Sequence, residues 1–494
     1  MNAAAQSPTG AGSSLVGNTA WNLAGSIIPL AVGLLAVPPL LDALGIDRFG
    51  ILTLIWMLTG YFGFLDFGLG RALTKLVAER AAHVNGSELG RLVWTALTLM
   101  LAFGACGVLV LVLAADPLVR VVLNVPADLQ AEATGAVWFL ALSLPLTIAG
   151  AGLRGVMDGL HLFKLASLIR MPLAALTFVA PLAVSLFTPS LVAVSASLFT
   201  VRAVGLIAHG LACVHALPSL ATVERPDRTL FRPLLGFGGW LTVTNVVGPL
   251  MMYLDRFLIG SLASLAAVAY YATPYEFVTK LLFVPAALTG VLFPRFSRDL
   301  ARRSRESHRL MSRSVAAIFA VLFPVILLIV AFAQEALVLW LGDEFAANSF
   351  RVLQWLATGV LINAMALVPF TFVQGAGFPD RVAKLHVLEL PFYLAGLWYM
   401  LGTAGIDGAA MAWTARVAVD GLALLRMAGR AAPGGGAFPV RLALAIGSGL
   451  AALALAGLAE SLEARAWIVL GFGTLLPVLV WRTSVHSRRA SAAG

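Results

Sequence analysis

Long apolar runs alternate with short polar intervals along almost the whole chain. Fourteen runs stand out, at about 15–41, 50–70, 92–114, 134–153, 165–187, 190–212, 234–259, 267–292, 315–334, 352–373, 385–402, 405–425, 441–459 and 466–481. A helix needs about 20 predominantly apolar residues to cross the hydrocarbon core. The pattern therefore predicts an all-α, polytopic membrane protein with about 14 transmembrane helices. Two splits rest on very short loops: Pro189 separates 165–187 from 190–212, and Gly402 and Gly405 separate 385–402 from 405–425.

Composition supports this class. The chain is 60% hydrophobic and 12% charged, with a mean hydropathy of +0.93. A soluble domain carries about 25% charged residues. The opening MNAAAQSPTGAGSS holds no Lys or Arg, so it lacks the basic start of a cleaved signal peptide and is expected to stay in the mature chain. Cys106 and Cys213 fall in or beside apolar runs, which predicts neither a disulfide framework nor a metal site. The pI near 10.1 is explained by cytoplasmic loops, with no nucleic-acid partner.

The loops give the orientation, because Lys and Arg concentrate on the cytoplasmic side. With the N-terminus inside, the inner loops and tails hold 24 of the 33 basic residues, seven of them in the loop 294–314. The outer loops hold four: Arg48, Arg120, Arg351 and Arg465. Five fall within spans: Arg170, Arg202, Arg256, Lys280 and Arg416. Both termini are therefore expected in the cytoplasm. No outer loop exceeds about twenty residues, which leaves no room for an outer catalytic domain.

An internal repeat organises the runs. LVRVVLNVPADLQAEATGAVWFLALSLPL (118–146) answers LVLWLGDEFAANSFRVLQWLATGVLINAM (337–365), and GLHLFKLASLIRMP (159–172) answers GFPDRVAKLHVLELP (377–391). Leu118 and Leu337 are 219 positions apart, and Lys164 and Lys384 are 220 apart. Six spans per period make the halves parallel, related about an axis along the membrane normal, with a cleft expected between them. The expected division is a tail (1–14), an N-lobe (15–212), a cytoplasmic linker (213–233) and a C-lobe (234–425). A second linker (426–440), two further helices (441–481) and a cytoplasmic tail (482–494) follow.

Charges inside the spans are the candidate chemistry. Thr273, Glu276 and Lys280 share one stripe of a helix, and Trp413, Arg416 and Asp420 repeat the spacing with the signs reversed. A charge at the bilayer centre costs about 2.5 kcal/mol or more, so such groups face a bundle interior or a water-filled cavity. Two readings stand: static pairs that join helices, or a site for a charged substrate or coupling ion. Asn18, Asn22, Ser26 and Pro29 share a face of the first span, Arg202 is mid-span, and His386 and Glu389 lie one turn into the eleventh span. Asp255 and Arg256 interrupt the seventh span near its outer end, where Arg256 can snorkel; Asp66 and Arg170 lie near inner ends, where snorkelling competes with a cavity role.

Several motifs dissolve on inspection. GAGLRG (150–155) follows an apolar span and not a strand, so its small residues are expected to pack helices and not a nucleotide. DFG (66–68) lacks the other kinase signatures, the histidines are scattered, and no phosphate-binding P-loop is present.

The segment NTAWNLAGSIIPLAVGLLAVPPLLDALGIDRFGILTLIWMLTGYFGFLDFGLGRALTKLVAE (18–79), with YLDRFLIGSLASLAAVAYYATPYEFVTK (253–280) and LFPRFSR (292–298), resembles the polysaccharide-transport flippases. These are the O-antigen and exopolysaccharide repeat-unit flippases of the multidrug/oligosaccharidyl-lipid/polysaccharide exporter superfamily. The likeness covers most of residues 15–425. It implies a V-shaped, two-lobe bundle plus two C-terminal helices. It implies a non-enzymatic flippase that moves a polyprenyl-diphosphate-linked oligosaccharide across the bacterial inner membrane by alternating access. It implies no cofactor, coupling to H+ or Na+, and work alongside membrane lipids and a polysaccharide polymerase or chain-length regulator. On local chemistry, Arg202, Lys280, Arg416, Asn18 and Asn22 are the candidates for the diphosphate and cavity, and Glu276, Asp420, Asp255 and Asp66 for ion coupling or gating. Related lipid II flippases carry arginines in the first helix, where this chain offers Asn18 and Asn22, which argues against a peptidoglycan precursor. The alternative is an ion-coupled multidrug or small-molecule exporter of the same superfamily.

Overall fold

A computed structural model describes residues 11–62, 68–80, 86–231, 234, 254–301, 304, 306–432 and 438–491, with side chains throughout except at 11–27, 60–62, 86, 301 and 481–491. Among the described residues there is no strand. In the first half of the chain the helices are α1 (Ala11–Leu44), α2 (Ile46–Phe62), α3 (Leu69–Arg80), α4 (Gly86–Pro117), α5 (Gln130–Gly159), α6 (Phe163–Ser185) and α7 (Leu191–Ala216). In the second they are α8 (Leu265–Val278), α9 (Phe283–Ala301), α10 (Glu306–Ala331), α11 (Ala333–Leu341), α12 (Asp343–Gly375), α13 (Pro379–Ala431), α14 (Val440–Leu458) and α15 (Leu462–Ser491). In hydrocarbon every backbone N–H and C=O must be paired within the protein, and helices do this within one segment.

Ten stretches of described residues are long and apolar enough to cross a membrane, so this is a multi-pass membrane protein. The hydropathy run at 15–41 falls on α1, and residues 50–62 of the run at 50–70 fall on α2. Most of 234–259 lies outside the described residues, so the count of fourteen is not established.

α13 spans 53 residues but is two arms. Ala404 (φ −129°, ψ 15°) and Gly405 (φ 59°, ψ −146°) leave helical geometry between them. Only glycine adopts the Gly405 conformation without strain. The consequence is large: on a straight helix His386 and Asp420 would stand about 51 Å apart at 1.5 Å per residue, yet their side chains meet at 3.3 Å. The break predicted at Gly402/Gly405 is real, and it folds the arms back on each other.

The chain forms two compact units, residues 1–269 and 270–494. In the first, α5 is the hub and packs on α2, α3, α4 and α7, while α6 packs on α1 and α7. Gly155 permits a close approach: a Cβ there would lie 2.4 Å from the Gly70 carbonyl oxygen on α3. GAGLRG is thus a helix-packing motif. At the other end of α5, Glu132 ties three elements together. Its Oε2 accepts from Arg48 Nε at 2.9 Å, and its Oε1 accepts from the Leu191 N–H, the first of α7, at 2.6 Å.

In the second unit α12 is the hub, packing on α9, α10, α11 and α13. α14 and α15 lie on α10. Arg465 anchors the start of α15 by donating to Glu335 Oε1 (2.8 Å) and to the Ala331 and Ala459 carbonyls. Each hub is the helix that follows one copy of the repeated loop, at Leu118 or Leu337.

Candidate functional site

The first unit contains a partly open cavity of about 230 Å³ between α5, α6 and α7. Its polar lining is Thr147, Arg154, Arg170, Thr177, Arg202 and His209. The helices present these groups at helical spacing: Thr147, Gly150 and Arg154 on α5; Arg170, Ala174 and Thr177 on α6; Arg202, Gly205 and His209 on α7. Depth follows from the helix rise. Measured from the end where α5 stops and α6 starts, Arg154 lies about 8 Å along its helix, Arg170 and His209 about 10 Å, and Arg202 about 21 Å. The arginines thus form a ladder from the rim inward along the helices.

The charge balance of this cavity is strongly positive. Arg154 is within Coulombic reach of Arg202, His209 and the carboxylate of Asp158, which Arg170 also faces. Neither Arg170 nor Arg202 has an ion-pair partner among the described residues. The buried His209 donates its Nδ1–H to the Gly205 carbonyl at 2.7 Å, and its Nε2 is left without a hydrogen-bond partner among the described residues. Guanidinium groups present planar donor forks that match carboxylate and phosphate oxygens. Three guanidinium groups lining one low-dielectric cavity, against one carboxylate among the described residues that face them, make a candidate anion site.

The second unit holds a different cluster, between the two arms of α13. Glu389 and Asp420 are each 8% exposed. His386 Nε2 lies 3.3 Å from Asp420 Oδ1, out of line for a hydrogen bond. Arg416 stacks over the Tyr393 ring at 5.3 Å, and the Phe370 ring of α12 lies parallel to His386, 6.1 Å away. Both Glu389 oxygens and Arg416 Nε are buried without a hydrogen-bond partner among the described residues.

The remaining candidates fall as follows. Glu276 and Lys280 pair at 3.4 Å across the junction of α8 with the 3₁₀ segment Thr279–Leu282, with side chains 44% and 54% exposed. Asp255 is fully buried and accepts from the Arg256 N–H at 2.8 Å; Arg256 is also fully buried, so it does not snorkel. Asn18 and Asn22 lie on α1, where side chains are outside the description, and Asp66 lies outside the described residues. Sequence reasoning placed Arg154 in an inner loop and left Arg170 open to snorkelling; the structure brings both to Arg202. The three-helix polar spacing was the signal available for them.

Comparison with known proteins decides the family. The model of the family "Polysaccharide biosynthesis protein" matches residues 15–300, more than half of the chain. The chain belongs to this family. A Shigella flexneri protein provisionally named an O-antigen transporter is 29% identical over 411 residues, which is 83% of this chain and 97% of that one. Two solved structures share the fold. The lipid II flippase MurJ, in an inward closed conformation, aligns over 96% of this chain and 99% of its own, with a TM-score of 0.69 and 12% identity. An inward-facing MATE multidrug transporter of the MOP superfamily aligns over 84% and 94%, with a TM-score of 0.66 and 15% identity. These relatives are transporters or flippases by name. The family's match ends at residue 300, so it includes the whole arginine cavity.

Proposed function

We propose that the protein flips polyprenyl-diphosphate-linked oligosaccharide repeat units across the bacterial inner membrane for surface-polysaccharide assembly. The observation that carries this reading is the cavity in which Arg154, Arg170 and Arg202 converge. A diphosphate cannot enter hydrocarbon without compensating donors. The loop charges orient the rim of the ladder, Arg154 and Arg170, toward the cytoplasm, where the lipid-linked sugar is made. The diphosphate is received at the rim and drawn to Arg202 as the protein alternates its access. The volume, about 230 Å³, suits a diphosphate and not an oligosaccharide. The first-span residues Asn18 and Asn22 are the groups we assign to the rest of the headgroup. The name of the Shigella flexneri relative supports an O-antigen-type cargo.

A small-molecule exporter is favoured by the MATE-like fold alone. A cationic drug would meet three arginines, which disfavours it. The direct test is binding of a short-chain polyprenyl diphosphate to the purified full-length protein in nanodiscs. A hydrogen-bonded charge contact is worth about 1.5–3 kcal/mol, so Arg202→Ala is expected to weaken binding about 10–100-fold. Arg202→Lys should fall between, and the neutral polyprenol should not compete. Equal affinity of wild type and Arg202→Ala for the diphosphate would overturn the assignment.

A further inference from the structure

We infer that His209, with Thr147 and Thr177, makes the arginine cavity selective for an anion that carries a hydrogen-bond donor beside its charged oxygens. That the anion is a lipid-linked diphosphate rests on the flippase reading; the selectivity itself is argued from where the protons of the cavity lie.

Spacing comes first. Each of the three helices brings one guanidinium group and one other polar group to the cavity, seven positions apart: Thr147 and Arg154 on α5, Arg170 and Thr177 on α6, Arg202 and His209 on α7. Seven residues are close to two helical turns, so both members of each pair share a face. Arg154, Arg170 and His209 lie about 8–10 Å along their helices from the end where α5 stops and α6 starts; Thr147, Thr177 and Arg202 lie about 18–21 Å along them. The rim layer therefore holds two guanidinium groups and an imidazole, and the deeper layer one guanidinium and two hydroxyls.

The protons come next. Thr147 donates to the Ser143 carbonyl at 2.9 Å, Thr177 to the Leu173 carbonyl at 3.1 Å, and His209 Nδ1–H to the Gly205 carbonyl at 2.7 Å. Each partner is the carbonyl four residues back on the same helix. A carbonyl oxygen only accepts, so each proton is committed and what remains for the cavity is a lone pair. A second ring proton on His209 would add a fourth positive charge to a cavity lined by Arg154, Arg170 and Arg202, with Asp158 as the carboxylate that faces Arg154 and Arg170. His209 is 5% exposed, and its Nε2 has no hydrogen-bond partner among the described residues. A buried acceptor of this kind costs free energy until a donor reaches it.

The two sets of groups ask for different chemistry in one ligand. The guanidinium groups match anionic oxygens. A bare phosphate oxygen has only lone pairs, which repel the imidazole and hydroxyl acceptors. A donor attached next to the anion satisfies them. It has two sources: a hydroxyl or amide N–H of a sugar joined to the diphosphate, or the O–H of an uncapped, protonated phosphate. The volume of about 230 Å³ confines this readout to groups joined directly to the diphosphate.

The test measures binding to full-length protein in nanodiscs with three short-chain probes: polyprenyl diphosphate, its methyl ester, and polyprenyl-diphosphate-linked monosaccharide. The methyl ester and the monosaccharide conjugate carry the same charge, but only the conjugate brings donors. One neutral hydrogen bond predicts that wild type prefers the conjugate over the methyl ester by about 3–10-fold. His209→Phe should bring this ratio close to one, and His209→Gln, which restores an acceptor, should keep part of it. Thr147→Val and Thr177→Val are read by the same ratio, so the inference stays testable if His209→Phe does not fold. A His209-dependent preference for the free diphosphate, absent for the conjugate, supports the donor readout with the phosphate O–H as its source. A wild-type ratio near one for both donor-bearing probes, or a ratio that all of these substitutions leave unchanged, would overturn the inference. Equal binding of all three probes leaves the flippase reading standing and removes this one; binding of none removes the flippase reading and this inference with it.

Discussion

At the scale of single residues, space and charge are the two currencies of this fold. Gly155 illustrates the first. A side chain there meets the Gly70 carbonyl, which belongs to backbone and cannot rotate away. Overpacking a close helix contact costs about 1–3 kcal/mol, so Gly155→Val is expected to lower the melting temperature of the purified protein. Unchanged melting would show that α3 and α5 separate freely. The same substitution displaces the neighbouring Arg154, so phosphate-dependent stabilisation should fall further than with a distant destabilising variant. The sequence marked charged residues inside spans without distinguishing their surroundings. Glu276 and Lys280, the most conspicuous pair, are half-exposed, and an exposed i,i+4 pair contributes only about 0.3–0.5 kcal/mol to helix stability. Arg170, with its sequence role divided between snorkelling and a cavity, lines the cavity, because depth along one helix does not reveal which neighbours face it.

At the scale of elements, junctions between helices carry the specificity. The turn at Ala404–Gly405 converts one continuous helix into two arms and so creates the His386–Asp420 contact. Forcing a non-glycine residue into that conformation costs about 1–3 kcal/mol. Gly405→Ala should lower the thermal stability of the purified protein by that order, whereas Gly402→Ala, with open space around it and ordinary backbone geometry, should not. Glu132 sets a second junction. Hydrogen bonds to a charged group contribute about 1.5–3 kcal/mol, so Glu132→Ala is expected to increase hydrogen exchange at the start of α7 and around Arg48. Protection unchanged at Leu191 would remove Glu132 from this role. Both junctions were partly legible. The glycines and the short loop at Pro189 announced the breaks, but the partners of Glu132 are 84 and 59 positions away, and local pattern does not reach that far.

At the scale of the whole molecule, the sequence was most informative where physics is least forgiving. Hydrocarbon admits few backbone solutions, so apolar run length located the helices, and each copy of the repeated loop leads into a hub helix, α5 or α12. The contrast between the arginines lining the cavity of one unit and the buried carboxyls Glu389 and Asp420 of the other was not seen, since it appears only when repeat register and helix packing are read together. The central claim is that the arginine ladder moves a diphosphate-linked sugar between leaflets. The measurement that tests it most directly is the leaflet distribution of polyprenyl-diphosphate-linked oligosaccharide in cells depleted of the protein and complemented with wild type, Arg202→Ala or Arg202→Lys. The account predicts accumulation on the cytoplasmic leaflet upon depletion, clearance by wild type, partial clearance by Arg202→Lys and none by Arg202→Ala at equal protein levels. An unchanged lipid pool on depletion, or full clearance by Arg202→Ala, would contradict it.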